Sequence, residues 1–180
     1  MENKLNNLIS KGSVHFVFGP QGAGKSTYSR KLARLNNGTR FSIDDWMIQL
    51  YGPDLPKPLN LNWIMERVKR CEQQIWSTAK EIALNGGNTV LDLGFIKASN
   101  RAEFLQLAQQ ADLSSELHYV IAPHDERRRR VLARNVEKGE TFAFEVTPTM
   151  FDYMEKETEA PSEAELSNSS VFNTYTTHQQ

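Results

Sequence analysis

At 180 residues the chain is long enough for one domain with a substantial buried core and too short for two of ordinary size. Hydrophobic residues make up 39% and charged residues 24%, which excludes a disordered chain, and no apolar run approaches the roughly 18 residues of a membrane span. The formal net charge of −1 excludes an overall basic field that would draw in nucleic acid, so any basic surface has to be local.

Val14 to Phe18 is a short apolar run ending at Gly19 and reads as a buried strand entering a loop. Ser26 to Leu35 reads as a helix stopped by Asn36, Asn37 and Gly38, and Arg40 to Ile43 as a second strand. Gly52, Pro53, Pro56 and Pro58 then mark an irregular surface segment able to cover a substrate. From Asn62 to Leu84, apolar residues recur every three or four positions, giving a helix that Gly86 and Gly87 terminate. Thr89 to Leu93 is a third strand. Asn100 with Glu103 offers a cap for a helix to about Ala111, and Leu117 to Ala122 is a fourth strand closed by Pro123. Ser169 to Thr176 is the candidate for a last edge strand in a polar tail.

Strands alternating with helices imply an α/β fold with a mainly parallel, five-stranded sheet and helices on both faces. The expected organisation is one domain over residues 1–163, with an Arg-rich helical lid at about 124–140, followed by the tail at 164–180. Cys71 is the only cysteine, so neither an intrachain disulfide nor a thiolate metal cluster is available. With no apolar signal core in Met1 to Lys11, the expected location is the cytoplasm.

The chemistry begins at Gly19-Pro20-Gln21-Gly22-Ala23-Gly24-Lys25-Ser26, which fits G-x-x-x-x-G-K-[ST] without a mismatch and is followed by Thr27. It lies between an apolar strand and a helix, where glycines let backbone N–H groups converge on phosphate oxygens at the positive helix end. A capping turn alone would not need this lysine. Lys25 is assigned to the β- and γ-phosphates of ATP, Ser26 to Mg²⁺, and Thr27 to the α-phosphate region.

A phosphate loop does not by itself separate GTPases, transporters, motors and kinases. The absence of an Asn-Lys-x-Asp motif and the short chain favour a compact kinase. Asp44 and Asp45 follow the second strand, at the carboxyl edge where the phosphate loop opens. Asp44 is the candidate general base toward an acceptor hydroxyl, and Asp45 a helix cap or helper at the substrate. Asp92 ends the third strand as a Walker-B-like carboxylate for metal, the alternative being a tie to the Gly94 loop. In His124 to Lys138, Arg127, Arg130, Arg134 and Lys138 share one helical face. Arg134 and one of Arg127 or Arg130 are the lid candidates, with Arg130 assigned to nucleotide, while Arg128 and Arg129 read as a solvated face. His15 and His118 fall within strands and read as packed residues, and no histidine spacing resembles a zinc site.

With these residues in view, the chain from Val14 to Pro161 resembles the small P-loop kinases that include polynucleotide 5′-kinases, chloramphenicol phosphotransferase and zeta toxins. Gly19 to Thr27 is generic. Ser42-Ile43-Asp44-Asp45-Trp46 is similar to the segment bearing the hydroxyl-activating aspartate, and Arg134-Asn135-Val136-Glu137-Lys138-Gly139 to the lid. Val90 to Phe95 is similar to the third-strand segment. The resemblance implies that Lys97 and Arg101 meet substrate or nucleotide and that the adenine pocket lies near Pro161. Met47 stands where a polynucleotide kinase would carry a phosphate-recognising arginine. With Trp46, Tyr51 and Trp63 nearby, that departure points to a small-molecule acceptor with an apolar portion. The alternatives are a zeta-like or polynucleotide kinase and a regulatory ATP-binding module.

Overall fold

The computed structural model describes residues 10–138 and 145–175; Gly139 of the expected lid, Thr176 of the expected edge strand and most of the Met1 to Lys11 segment lie outside the described residues. Five strands form one sheet: β1 (Ser13–Phe18), β2 (Thr39–Ser42), β3 (Thr89–Asp92), β4 (Ser114–Ile121) and β5 (Ser169–Asn173). Their order is β2-β3-β1-β4-β5, and every neighbouring pair is parallel. The helices are α1 (Lys25–Leu35), α2 (Ile43–Tyr51), α3 (Leu61–Leu84), α4 (Ala98–Gln110), α5 (His124–Glu137), α6 (Pro148–Glu157) and α7 (Glu163–Ser167). A parallel sheet needs a crossover between successive strands and must be covered on both faces, which these helices supply.

Alternation along β1 divides the core. Val14, Phe16 and Phe18 face a large cluster with Cys71, Ile75, Trp76, Ala79 and Ala83 of α3 and Phe104 and Ala108 of α4. Val17 joins Val90, Val120, Ala23 and Ala33 on the other face, against Tyr28 and Leu32 of α1. His15 and His118 are both buried. Asn60 caps α3 through the Trp63 N–H, as a side-chain acceptor should at a helix start. Among the described residues no helix is long and apolar enough to cross a membrane.

Three local expectations need correction. Asn100 does not cap α4; the helix begins at Ala98 with Lys97 before it and has no side-chain cap, so Asn100 lies within its first turn. Asp44 and Asp45 do not precede their helix. Ser42 caps α2 by accepting from the Asp45 N–H at 3.3 Å, which places both carboxylates in the first turn, where the helix dipole favours negative charge. The division at residue 163/164 falls inside α7, whose capping box joins Ser162 and Glu165, and Glu165 is tied to the domain through Arg101.

Candidate active site

β1 runs straight into the phosphate loop. Gly19 adopts φ +142° with an added Cβ only 2.1 Å from the Val120 carbonyl oxygen, and Gly22 adopts φ +78° with its Cβ position 2.6 Å from the Arg127 oxygen. Both conformation and space therefore demand glycine at these two turns. Gly24 precedes α1 with no side-chain cap and no acidic residue in the first turn, so the first N–H groups of α1 remain available to an anion. Ala23 is wholly buried and its N–H donates to Pro20 O at 3.3 Å, which closes the turn.

Lys25 folds back over this loop, donating to Gly19 O at 2.9 Å and Pro20 O at 3.1 Å. Burial lowers its pKa; Asp92 and Asp44 oppose that effect, and the charges of Arg127 and Arg134 add to it. Asp44 shows the complementary balance. Burial and the Asp92 charge raise its pKa above the ordinary carboxylate range, against the pull of Lys25 and Arg134. Lys25 and Asp44 thus both feel Asp92 and Arg134 as well as each other, so the phosphate-loop lysine and the expected base lie within electrostatic reach of the strand carboxylate and of Arg134 on α5.

Asp92 and Asp45 share a partner that sequence reading left unassigned. Arg40 on β2 reaches Asp92 Oδ2 with Nη2 at 2.7 Å, Asp45 Oδ2 with Nη1 at 2.8 Å and Ser29 Oγ with Nε at 2.8 Å. Ser29 Oγ lies 3.1 Å from both Asp92 Oδ2 and Ser26 O, either of which takes its single proton. Arg40 and Asp92 are 12% and 6% exposed at their side chains, and the strand register sets Arg40 opposite Val90, two residues before Asp92. Burial alone would lower the Arg40 pKa, but Asp92 and Asp45 outweigh it and raise it. One signal for this knot was legible: a single cation inside a short strand.

Ser26 and Asp92 offer only hard oxygen donors, and Ser29 Oγ lies 3.1 Å from both Ser26 O and Asp92 Oδ2. That donor set fits Mg²⁺. Both side-chain contacts of Asp92 fall on Oδ2, so coordination through Oδ1 would not require breaking them.

The arginines of α5 divide. Arg127, one of the two alternatives for a lid cation, is buried and chelated by Glu155 at 2.5 and 2.7 Å while also donating to Gln21 O and Ala122 O. It fastens the phosphate loop to α6. Arg130 reaches Thr174 Oγ1 at 2.8 Å and Glu126 at 2.7 Å, and the Thr174 hydroxyl lies 2.7 Å from Ala23 O, so Arg130 touches the loop only through Thr174. Arg129 pairs with Glu126 at the surface.

Arg101, expected at substrate, is 2% exposed and grips Glu165 with Nε at 2.6 Å and Nη2 at 3.1 Å. Its Nη1 donates to Phe95 O and Glu159 O. Those contacts commit the guanidinium to holding α7 and the chain before it onto α4. Lys97 pairs with Glu157 and Glu159 at the surface. On the expected acceptor side, Trp46, Met47 and Tyr51 pack against the main core, and the Arg67 guanidinium stacks on Trp63 at 3.6 Å.

An all-parallel sheet of this order with a phosphate loop after its central strand defines a P-loop protein of the kinase-like α/β class. Residues 14–161 match the family model described as "AAA domain" (AAA_33), and the chain belongs to that family. A putative kinase from Chloroflexus aurantiacus J-10-fl superposes with a TM-score of 0.75 at 17% identity, covering 95% of this chain and 92% of that one. Chaetomium thermophilum Kti12 in complex with ADP-AlF3 gives 0.65 at 17% identity over 88% and 87%, and a gluconokinase from Sinorhizobium meliloti 1021 gives 0.57 at 14% over 91% and 82%. At such identities the likeness is one of fold. Comparison with curated proteins yields no match.

Proposed function

We propose that this chain is an ATP-dependent kinase of the polynucleotide kinase, chloramphenicol phosphotransferase and zeta toxin type. It transfers the γ-phosphoryl group to a hydroxyl of a small molecule, with Asp44 as general base. The observation that carries the reading is the placement of Asp44: it lies in the first turn of α2, directly after β2, and within electrostatic reach of Lys25 and Arg134. A raised pKa makes it a better proton acceptor than an exposed aspartate, and the two cations oppose that rise.

In this scheme the loop N–H groups and the start of α1 hold the phosphates, and Lys25 exchanges the Gly19 and Pro20 carbonyls for β- and γ-phosphate oxygens. Mg²⁺ held by Ser26 and Asp92 would neutralise phosphate charge. The acceptor oxygen bonds to the γ-phosphorus, the bond to the β-phosphate bridging oxygen breaks, and the hydroxyl proton passes to Asp44. Arg134 offsets charge on the transferring group, and Asp45, held by Arg40, braces the turn that presents Asp44. Arg130 serves the nucleotide. The lone buried Cys71 suits a reducing cytoplasm, where we place the protein. Met47, packed on the core where a polynucleotide kinase has an arginine, favours a small acceptor.

The test is ADP release from ATP and Mg²⁺ against nucleosides, sugars, aminoglycosides, chloramphenicol, nucleotide sugars and 5′-hydroxyl oligonucleotides. Stimulation by one small-molecule class, reduced about 10²–10⁴-fold in Asp44→Asn with ATP binding retained, is the expected result. Equal transfer by Asp44→Asn would remove it as base. Stimulation by oligonucleotides or nucleotide sugars alone would move the assignment to a polynucleotide or zeta-like kinase.

A further inference from the structure

Behind the phosphate loop, on the α1 side of the sheet, β1 and β4 bring three donors together. His15 and Glu116 are register partners, and His118 follows Glu116 by two residues on the same face of β4. His15 Nδ1 lies 3.1 Å from His118 Nε2, and Glu116 Oε2 lies 3.5 Å from the first and 3.6 Å from the second. Three ligands of a tetrahedral ion at bond lengths near 2.05 Å are separated by about 3.3 Å, whereas right-angled octahedral neighbours come to about 2.9 Å. The observed triangle has the tetrahedral dimension.

The second nitrogen of each imidazole is also held. Asn88 Nδ2 donates to Asn36 O, and its Oδ1 accepts from the Ser13 N–H at 2.9 Å, so the orientation of this amide is settled by backbone groups at both ends. Ser13 Oγ, 3.0 Å from that same Oδ1, must donate to it and therefore accepts from His15 Nε2 at 2.9 Å. The His15 proton is thus on Nε2, and its Nδ1 lone pair faces His118 and Glu116. His118 Nδ1 lies 2.9 Å from the Tyr28 hydroxyl, which can either donate or accept. His118 can therefore shift its proton from Nε2 to Nδ1 without losing that partner. Oriented outer partners of this kind are what metal-binding histidines use.

We propose that His15, Glu116 and His118 form a binding site for a divalent transition cation of the zinc class, with water as fourth ligand. The two imidazoles are buried and the Glu116 side chain is 55% exposed, so an ion enters past Glu116 and the histidines close it from beneath. Two nitrogens and a carboxylate oxygen select zinc-like cations over Mg²⁺, which keeps this site chemically separate from Ser26 and Asp92. A bound ion pins β1 to β4 just upstream of Gly19, and through Tyr28 holds α1, the helix that opens with Lys25.

The experiment is Co²⁺ titration of the metal-stripped full-length chain in excess Mg²⁺, followed by displacement with Zn²⁺. One equivalent of Co²⁺ with the strong visible absorption of tetrahedral coordination, lost on adding one equivalent of Zn²⁺, is expected. Glu116→Gln, at an exposed position that spares the fold, should weaken Zn²⁺ binding by about tenfold or more. His124→Ala, which removes the exposed imidazole beside Asp125, should leave it unchanged. Zn²⁺ should raise the thermal midpoint of the unaltered chain and not of Glu116→Gln. Weak six-coordinate Co²⁺ absorption, or Zn²⁺ affinity unaffected by Glu116→Gln, would overturn the proposal and leave the histidines as a hydrogen-bonded pair.

Discussion

Removing Arg40 should cost the protein more than any other single change at the cleft. Arg40→Ala deletes the partner of a carboxylate only 6% exposed, together with the contacts to Asp45 and Ser29. Breaking a buried ion pair from one side costs about 3–5 kcal/mol, because the remaining charge is desolvated without compensation. For a chain of this length each kcal/mol shifts the midpoint by about 2–4 °C, so a fall of about 6–20 °C is expected from a total stability of about 5–15 kcal/mol. The assay is urea unfolding followed by tryptophan fluorescence and far-ultraviolet circular dichroism for Arg40→Ala, Asp92→Asn and the double variant. The double variant should be more stable than the sum of the single losses implies, with a coupling of about 1–3 kcal/mol. A loss below about 1 kcal/mol for Arg40→Ala, or strict additivity, would show that the pair contributes nothing beyond two exposed charges.

Asp44 has a folded pKa raised above its unfolded value, so its charge costs stability once the pH exceeds the folded pKa and costs nothing below the unfolded one. We predict that Asp44→Asn melts higher than the unaltered chain at neutral pH and that this gain disappears in acid; the acid limb of the kcat/KM profile, read in the same buffers, should lie above the usual carboxylate range. Glu72 on α3 is pushed up to about 7 by burial and then by Glu103, so Glu72→Gln should stabilise by about 1–2 kcal/mol at pH 8.5, after allowance for its solvent exposure, and by nothing at pH 4; equal melts at both would refute the coupling. Gly22→Ala places a Cβ 2.6 Å from the Arg127 oxygen at φ +78° and should lower stability by about 1–3 kcal/mol and weaken ATP binding, checked by urea unfolding and calorimetric titration.

Much of the fold was legible because its signals are local. Strands β1 and β3 are short apolar runs bounded by Gly or Asn, β2 follows Gly38, β4 ends before Pro123, and α3 repeats its apolar face over 24 residues. Helix α6 is poorly marked in the sequence although Thr147 caps it and Pro148 stands in its first turn, because Phe151 is its one buried side chain and no apolar stripe announces it. The charged residues failed for another reason. Arg101 finds Glu165 64 positions away, and Arg127 finds Glu155 28 positions away. Whether a guanidinium faces solvent, ligand or a buried carboxylate is decided by such distant partners, and helical spacing around Arg127 or Arg101 contains no information about them. Arg40 stands out as the one cation in β2, but its partner does not, since Asp92 lies 52 residues on.

That knot joins four elements of the proposed site. Ser29 belongs to the helix that carries Lys25 and Ser26, Arg40 to β2, Asp45 to the turn that carries Asp44, and Asp92 to β3. One guanidinium therefore ties the helix after the phosphate loop, the turn of the proposed base and the proposed metal carboxylate into a single frame, without itself being needed at the reacting atoms. Transfer chemistry tolerates little misplacement of its groups, so loosening this frame should lower kcat while ATP still binds through the loop backbone and Lys25. Arg40→Lys separates positioning from charge: it restores the cation but not a planar fork able to reach Asp92, Asp45 and Ser29 together. If Arg40→Lys recovers stability but not kcat, geometry is what Arg40 supplies; recovery of both would mean that neutralising Asp92 suffices.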